Sequence, residues 1–589
     1  MRRKFSIFIS FFLLILFFAE YAGATGDQIG RNVNRYGGLA EALSIVGSTP
    51  TTLLITDTQA LTSGVTVPKT ASLIFGPNGK ITGSDVELKL DDCVVDAGEW
   101  QIFGSGVTVT GNMIVDAIIS EWWGAKGDGS TDDHDAIDVA LTHWLQRTVP
   151  GNFQFVPGKN YLCNTAISKT VTSNIEGAAV IDGYGSKLTS GLSTGVLLTI
   201  TANAYIRYFT VQGLTVVGSQ NEDGLIKLDG DDLGSNHAIY ELSLTDLNLK
   251  GFAGTGIYFI NDIFECSLMN VRADAHSSNV SGYGLHFDNG AHGPISSIDL
   301  VNCQTRYGKN GVYVESPVGD VNIYGGTFLT AQEYGVYLAN SGGSIVIGAH
   351  FENNWESAGS LAAGNAGLFC SGTANVIGCR GTTIRYQRYV VRMWIPGTHT
   401  SQIIGGHMGG DTVAYAYIHG AAGSHCNIIG NLSYYQAGPS CIVSKIGSTE
   451  KQDVTVETSG TGVDDLMSYV VPADNMGMHG GLKITASGTK QGANNTKAIW
   501  FHWGTESGVT IVDPNNDTED WRFEAEIMNY NNILNSQKIS WVCWSGTTMM
   551  QGYETATQDT TSGVTVLFKG ECANLNDKIK QQTMVIKPF

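Results

Sequence analysis

Between about residues 205 and 445 the chain repeats itself, and this restricts the fold more than any other feature of the sequence. A Gly, Asn or Asp follows a short apolar strand at Gly213, Asp246, Asn270, Asn302, Gly325, Gly348, Gly378, Gly405 and Gly430. The intervals run from 23 residues (Asn302 to Gly325) to 33 (Gly213 to Asp246). Near-copies surround these anchors, such as Val321-Asn322-Ile323-Tyr324-Gly325, Asn375-Val376-Ile377-Gly378 and Gln402-Ile403-Ile404-Gly405. After a turn a second strand follows, as in Gly284-Leu285-His286-Phe287, Gly311-Val312-Tyr313-Val314 and Gly335-Val336-Tyr337-Leu338. Such a unit cannot bury its apolar side alone. Stacked copies share one core, and hydrogen bonds between copies replace exposed sheet edges, which is a β-solenoid. The leucine and asparagine pattern of a leucine-rich repeat is missing, and propeller blades are longer than these intervals. Abundant glycine (74), scarce proline (12) and low charge (15 %) fit short strands joined by tight turns.

The flanks read differently. Arg2, Arg3 and Lys4 precede an apolar run from Phe5 to Phe18 and the small residues Ala22-Gly23-Ala24, the pattern of a secretory signal over 1–24. The run is shorter than a bilayer span, so the expected location is secreted or extracellular, with periplasm or cell surface as alternatives. Thr131-Asp132-Asp133 precedes Ala136, Ile137, Ala140, Leu141, Trp144 and Leu145, an apolar stripe at helical spacing that predicts a helix closing the solenoid end. After about Gly447 the anchors stop, and Gly481–Thr485, Ala498–Trp503, Trp521–Ile527 and Ile539–Trp544 predict a separate antiparallel β-sandwich over 447–589.

Charge and cysteines narrow the function. The formal net charge is −20, and loss of Arg2, Arg3, Lys4 and Glu20 with the signal would make it −22. Such a surface repels phosphate backbones, so nucleic acid is not an expected partner. Ten cysteines include no metal-ligand spacing, and no metal or cofactor is expected, calcium entering only for a lyase. Cys543 and Cys572 could pair, whereas Cys266, Cys303, Cys370, Cys379, Cys426 and Cys441 sit on strand-like segments as buried thiols would.

The run Glu121-Trp122-Trp123-Gly124-Ala125-Lys126-Gly127-Asp128-Gly129-Ser130-Thr131-Asp132-Asp133, continued by Phe153-Gln154-Phe155-Val156-Pro157-Gly158, closely resembles the opening motif of the pectate-lyase-like superfamily, which includes phage tailspikes and rhamnogalacturonase/epimerase-type domains. The resemblance implies an all-β fold over 121–446. This is a right-handed parallel β-helix with an N-terminal capping helix, preceded by a β-rich extension over 25–120. It also implies carbohydrate as substrate and a parallel homotrimer. It carries over no active site. The ordered signatures of polygalacturonases are missing, Gly405-Gly406-His407-Met408-Gly409 being a faint echo, and so is the Arg-x-Pro-x-x-Arg segment of calcium pectate lyases. Asp128, Asp132 and Asp133, in a turn before a helix, suit capping rather than catalysis.

Site candidates come from the register, because strand residues alternate in and out and successive coils lie ~4.8 Å apart. Two residues past the anchors come Thr215, Asn248, Arg272, Gln304, Thr327, His350, Arg380 and His407; four past come Asp274, Arg306 and Glu352. This polar column can bind sugar hydroxyls and carboxylates, although ordinary solvated sheet surface has the same make-up. A second ladder, Tyr258, His286, Tyr313, Tyr337 and Phe369, can stack on sugar rings or simply stabilise the sheet. Glycoside hydrolysis needs two carboxyl groups, about 5 Å apart in retaining enzymes. Asp288 and Glu315 occupy equivalent places on successive coils, and Glu333 with Glu352 form a second pair, Glu356 lying nearby and His350 offering a proton carrier. A β-elimination would use a base and one of Arg272, Arg306 or Arg380. The reading is a polysaccharide-binding protein that also cleaves, as hydrolase or lyase. The alternatives are a non-catalytic adhesin or phage-tail-like receptor-binding protein, and a purely structural solenoid.

Overall fold

The computed structural model describes residues 30–588, except 148–149, 231–236, 279–280, 291–292, 316–317, 355–365, 384–388, 397–398, 411–413, 421–423, 430–434, 438–440, 447–449, 453–454, 472–480, 493–495, 506–508, 514–517, 531–532 and 561. The expected signal segment and Glu356 lie outside the described residues. Among the described residues no helix is long and apolar enough to cross a membrane. The chain forms two compact units that divide near residue 280.

In the first unit Thr51–Ile55, Ala71–Phe75, Val86–Asp96 and Val107–Ile114 pair in parallel, so the N-terminal extension is itself a short parallel stack. Leu53 lies opposite Leu73, and Leu73 opposite Val95, each buried, which is why the extension has a core. The helix His134–Leu145 buries Ile137, Ala140, Leu141 and Trp144, and the Trp144 ring lies 6.0 Å from that of Phe153 and 6.4 Å from that of Phe209. It closes the end of the coils as expected. The capping differs in detail: Asp133 at the N-cap makes no side-chain bond to the helix, and its carboxylate instead accepts from the backbone N–H of Lys126 (2.6 Å) and Gly127 (3.1 Å). Asp132 accepts from the His134 N–H, and Asp128 from the N–H groups of Ser130 and Thr131. Those two donors hold the Asp128 carboxyl well below the usual carboxylate range. Buried Glu121 accepts from Lys159 (2.8 Å) and the Tyr161 hydroxyl (2.5 Å), so the opening motif is a folding device.

Both units contain coils of a parallel β-helix. One coil of the second unit runs Tyr283–Asp288, Ile295–Val301 and Gln304–Arg306; the next runs Asn310–Val314, Val321–Tyr324 and Thr327–Leu329. Each strand pairs in parallel with its counterpart one coil on. The sequence anchors make the corner between the second and third strands. Gly213, Asp246, Asn270, Asn302, Gly325, Gly348, Gly378 and Gly405 all have positive φ, between 52° and 69°. A left-handed residue is cheap only for Gly, Asn and Asp, which is the physical origin of the repeat. Each corner is tied to a neighbouring coil, as in Gly325 N–H to Ile347 O (2.7 Å) and Gly378 N–H to Ile404 O (2.8 Å).

Beyond the coils, the second unit ends in two antiparallel sheets. One contains Gly481–Gln491, Glu519–Tyr530, Ile533–Ser545, Thr548–Ala556 and Lys578–Pro588; the other contains Gly462–Val471, Lys497–Trp503, Val509–Asp513 and Val564–Cys572. Trp521, Phe523, Phe501 and Phe568 fill the core between them. The pairing considered for Cys543 and Cys572 is not made: both are free, buried thiols in that core, and Cys572 contacts Thr458 Oγ1 instead (3.4 Å). Burial pushes the Cys543 thiol up to about 12.

Candidate functional site

The first strand of each coil in the second unit builds a ladder. Register places His286, Tyr313, Tyr337, Phe369, Arg392 and Tyr417 opposite one another on six successive coils. Tyr337 stacks on Phe369 at 4.8 Å and 16°, and Tyr313 lies 5.0 Å from Tyr337. Arg392 continues the stack, its guanidinium 5.3 Å from the Phe369 ring and 6.0 Å from that of Tyr417, with Nη1 donating to the Tyr334 hydroxyl (3.3 Å).

A second column, three residues earlier, leans on this ladder. Tyr283 stacks on Tyr313 (4.6 Å, 12°), Tyr334 lies 5.4 Å from Phe369, and Tyr389 stacks on Tyr417 (5.2 Å). On the intervening coils that position holds Asn310 and Ala366, so large and small side chains alternate and the tyrosines interdigitate. Gly284, Gly311 and Gly335 follow the first residue of their strands, and a Cβ there would come within 2.4, 2.5 and 2.8 Å of the next coil's carbonyl oxygen. Only glycine allows that close approach.

The carboxylates lie where the strands exit. Phe287 pairs with Val314, so Asp288 and Glu315, each one residue later, occupy equivalent places. His286 Nε2 lies 3.1 Å from Glu315 Oε1, and one ligand atom each from His286, Asp288 and Glu315 all fall within 4.8 Å of one another. His286 is only 9 % exposed, and burial holds its imidazole below its ordinary range, against the opposing pull of Glu315 and Asp288. The Tyr313 phenol is pushed up to about 12 by burial and then by Glu315, Tyr283, Tyr337 and Glu333. Burial also raises Tyr337 and Tyr334. These phenols are hydrogen-bond donors throughout the neutral range. The triad can hold a divalent cation through one nitrogen and two carboxylates, a donor set unlike the six to eight oxygens that calcium takes.

The second expected pair is regrouped. Glu352 lies on the third strand of its coil, its Oε2 3.9 Å from His350 Nε2. Glu333 immediately precedes the ladder strand Tyr334–Ile347, with Lys309 Nζ 3.8 Å away, and its charge acts on Tyr313 and Tyr337, as that of Glu315 does. Glu333 therefore belongs with the ladder, at the edge opposite Asp288 and Glu315. Gln304, Thr327, His350, Arg380 and His407 form the expected polar column on the third strands. Within it His350 Nε2 lies 2.9 Å from Thr382 Oγ1, and burial, then Arg380, lowers its imidazole. The Arg306 guanidinium covers the Tyr307 ring at 4.7 Å. In the first unit Arg272 Nε donates to Asp274 (2.7 Å), and Lys227 lies 5.9 Å from the ring of Tyr258, its register partner.

Sequence reasoning missed Tyr283, Tyr334, Arg392 and Tyr417. The first two stood one residue before the glycines used for alignment, in Tyr-Gly-Leu-His and Tyr-Gly-Val-Tyr. The last two lie in Tyr389-Val390-Val391-Arg392 and Ala414-Tyr415-Ala416-Tyr417, where the guiding glycine is replaced.

No protein-family model matches the chain. The sequence is similar to a capsule K30/K69-specific depolymerase 1 of Klebsiella phage K5-2, 27% identical over 274 residues, 40% of this chain and 33% of that protein. It is likewise similar to a capsule K30/K69-specific depolymerase of Klebsiella phage K64-1, 24% identical over 287 residues, 41% of this chain and 35% of that protein. Each match thus spans about a third of the curated relative. Among solved structures, the chain is similar to tailspike protein 2 of an Escherichia coli O157:H7 bacteriophage (TM-score 0.41, 12% identity, 79% and 73% covered). It is also similar to the A-module of a mannuronan C-5 epimerase from Azotobacter vinelandii (TM-score 0.32, 15% identity, 56% and 100% covered).

Proposed function

We propose that the chain is a polysaccharide depolymerase that cleaves an extracellular capsule-type glycan laid along the ladder face. The observation that carries this is the His286–Asp288–Glu315 triad at the edge of an aromatic stack. Two carboxyl groups within 4.8 Å are near the ~5 Å separation of retaining glycosidases. Glu315, oriented by His286, serves as nucleophile, and Asp288, one coil earlier, protonates the leaving oxygen. The bond from the anomeric carbon to the leaving oxygen breaks as a glycosyl–Glu315 ester forms. Water then hydrolyses the ester, with Asp288 taking its proton. Tyr313 and Tyr337 flank the triad; their faces pack on Tyr283, each other and Phe369, which leaves their ring edges and protonated hydroxyls to contact the sugar. The two Klebsiella phage relatives support the substrate class. Export and assembly as a homotrimer accompany this reading, as the resemblance to tailspikes implies.

The test is incubation of the protein with a panel of purified capsular polysaccharides, with mass spectrometry of the soluble products. Saturated oligosaccharides whose release is abolished in Glu315→Gln and Asp288→Asn support the proposal. Products lighter by one water indicate a lyase. Retention of a glycan without cleavage makes the protein an adhesin.

A further inference from the structure

The exit edge that carries Asp288 and Glu315 continues along the following coils, and its composition changes abruptly. Val314 pairs with Leu338, Leu338 with Cys370, Cys370 with Met393 and Met393 with Ile418. One step later Glu315 follows Val314 and Ala339 follows Leu338; a bulge after Leu338 sets Ala339 and Asn340 against Ser371, which pairs directly with Trp394, and Trp394 pairs directly with His419. Ala339 and Ser371 are small and half-buried, so two coils of this edge form a trough beside the taller Tyr337 and Phe369. At its end stands Trp394, 41% exposed, with its ring centroid 4.4 Å from that of His419. An outward tryptophan held against a second ring at the end of a trough of small side chains is a flat, wet-sided apolar surface.

The geometry points to Trp394 and His419 as a remote sugar subsite, which takes the apolar C–H face of a pyranose in the same glycan strand that reaches Asp288 and Glu315. The inference rests on the depolymerase reading above. Three coils at ~4.8 Å place the platform roughly 14 Å from Glu315, the length of about three sugar units. The chain would lie over Ala339 and Ser371 with its reducing or non-reducing arm clamped at Trp394. This sets how long a substrate must be to gain the full binding energy. Arg392, two residues before Trp394 on the same strand, borders the track from the ladder side.

The experiment uses the full chain and the capsular polysaccharide that the wild type cuts in the panel. It compares kcat/KM for the polymer with kcat/KM for a trisaccharide fragment of the same glycan. For Trp394→Ala the preference for polymer over fragment is expected to fall about tenfold through KM. Trp394→Phe should restore most of it, and Ser371→Trp, which fills the trough beside Trp394, should reproduce the loss. An unchanged preference in Trp394→Ala, or equal losses on polymer and fragment, overturns the subsite while leaving the depolymerase reading in place. If the wild type retains a polysaccharide without cutting it, the same tenfold weakening is read from affinity electrophoresis. A wild type that neither cuts nor retains any polysaccharide on the panel removes the depolymerase reading, and the subsite with it.

Discussion

Acidification from pH 7 to pH 5 is expected to loosen the capping helix by about 2 kcal/mol through a single side chain, His143. The residue sits near the C-terminal end of the helix, 2 % exposed, its ring centroid 5.7 Å from that of Trp123. Neither ring nitrogen has a hydrogen-bond partner; the Val109 carbonyl favours the charged form without reaching hydrogen-bond geometry. Burial is the larger effect and, with Arg147 adding to it, lowers the imidazole from 6.5 to about 4. The opened helix has an ordinary histidine, so between these values the open form binds more protons than the closed one. The helix keeps its full stability above pH ~6.5 and loses it as pH falls toward ~4, about 3 kcal/mol over the whole window. The assay is amide hydrogen exchange of the buried helix residues Ile137 and Leu141, corrected for intrinsic rates, at pH 7 and pH 5. His143→Phe, which keeps a ring against Trp123 and removes the proton site, should flatten the difference. An opening free energy that does not change with pH in the wild type, or a slope that survives in His143→Phe, would refute the reasoning.

Glu315→Gln and Asp288→Asn should each lower kcat by about 10²- to 10⁴-fold with the melting temperature unchanged, measured by reducing-end release from the cleaved polysaccharide. Asp133→Ala strands the N–H groups of Lys126 and Gly127 and should cost about 3 kcal/mol of stability, read from hydrogen exchange or denaturant melts. Cys543 and Cys572 should resist thiol reagents in the native protein and react fully once unfolded, and a Cys543–Cys572 disulfide in peptide mapping would contradict the structure. Sedimentation equilibrium tests the trimer, with a mass three times that of the chain expected.

The coil was legible in the sequence because its cause is local. The corner between the second and third strands has positive φ from coil to coil and is filled there by Gly, Asn or Asp, so the anchors from Gly213 to Gly405 mark that corner without knowledge of any contact. The capping stripe from Ile137 to Trp144 and the alternating strands of the sandwich were legible for the same reason, since a helix or a half-buried strand writes its own period. The ladder His286, Tyr313, Tyr337 and Phe369 followed from the glycine beside each member, and the adjacency of Asp288 and Glu315 from the equal register of their strands.

What the sequence could not decide depends on side chains that meet across coils of unequal length. Glu333 and Glu352 are closer in sequence than Asp288 and Glu315. Yet one precedes the ladder strand and the other ends a strand of a different sheet, and only the coil path separates them. Arg392 extends an aromatic stack that no glycine announces, and Trp394 comes into line with Glu315 only after three coils have been laid in register. The backbone corner is fixed by the conformational preference of one residue. The site is fixed by which residues of successive coils the hydrogen-bonded stack brings opposite one another, and that is a property of the whole stack.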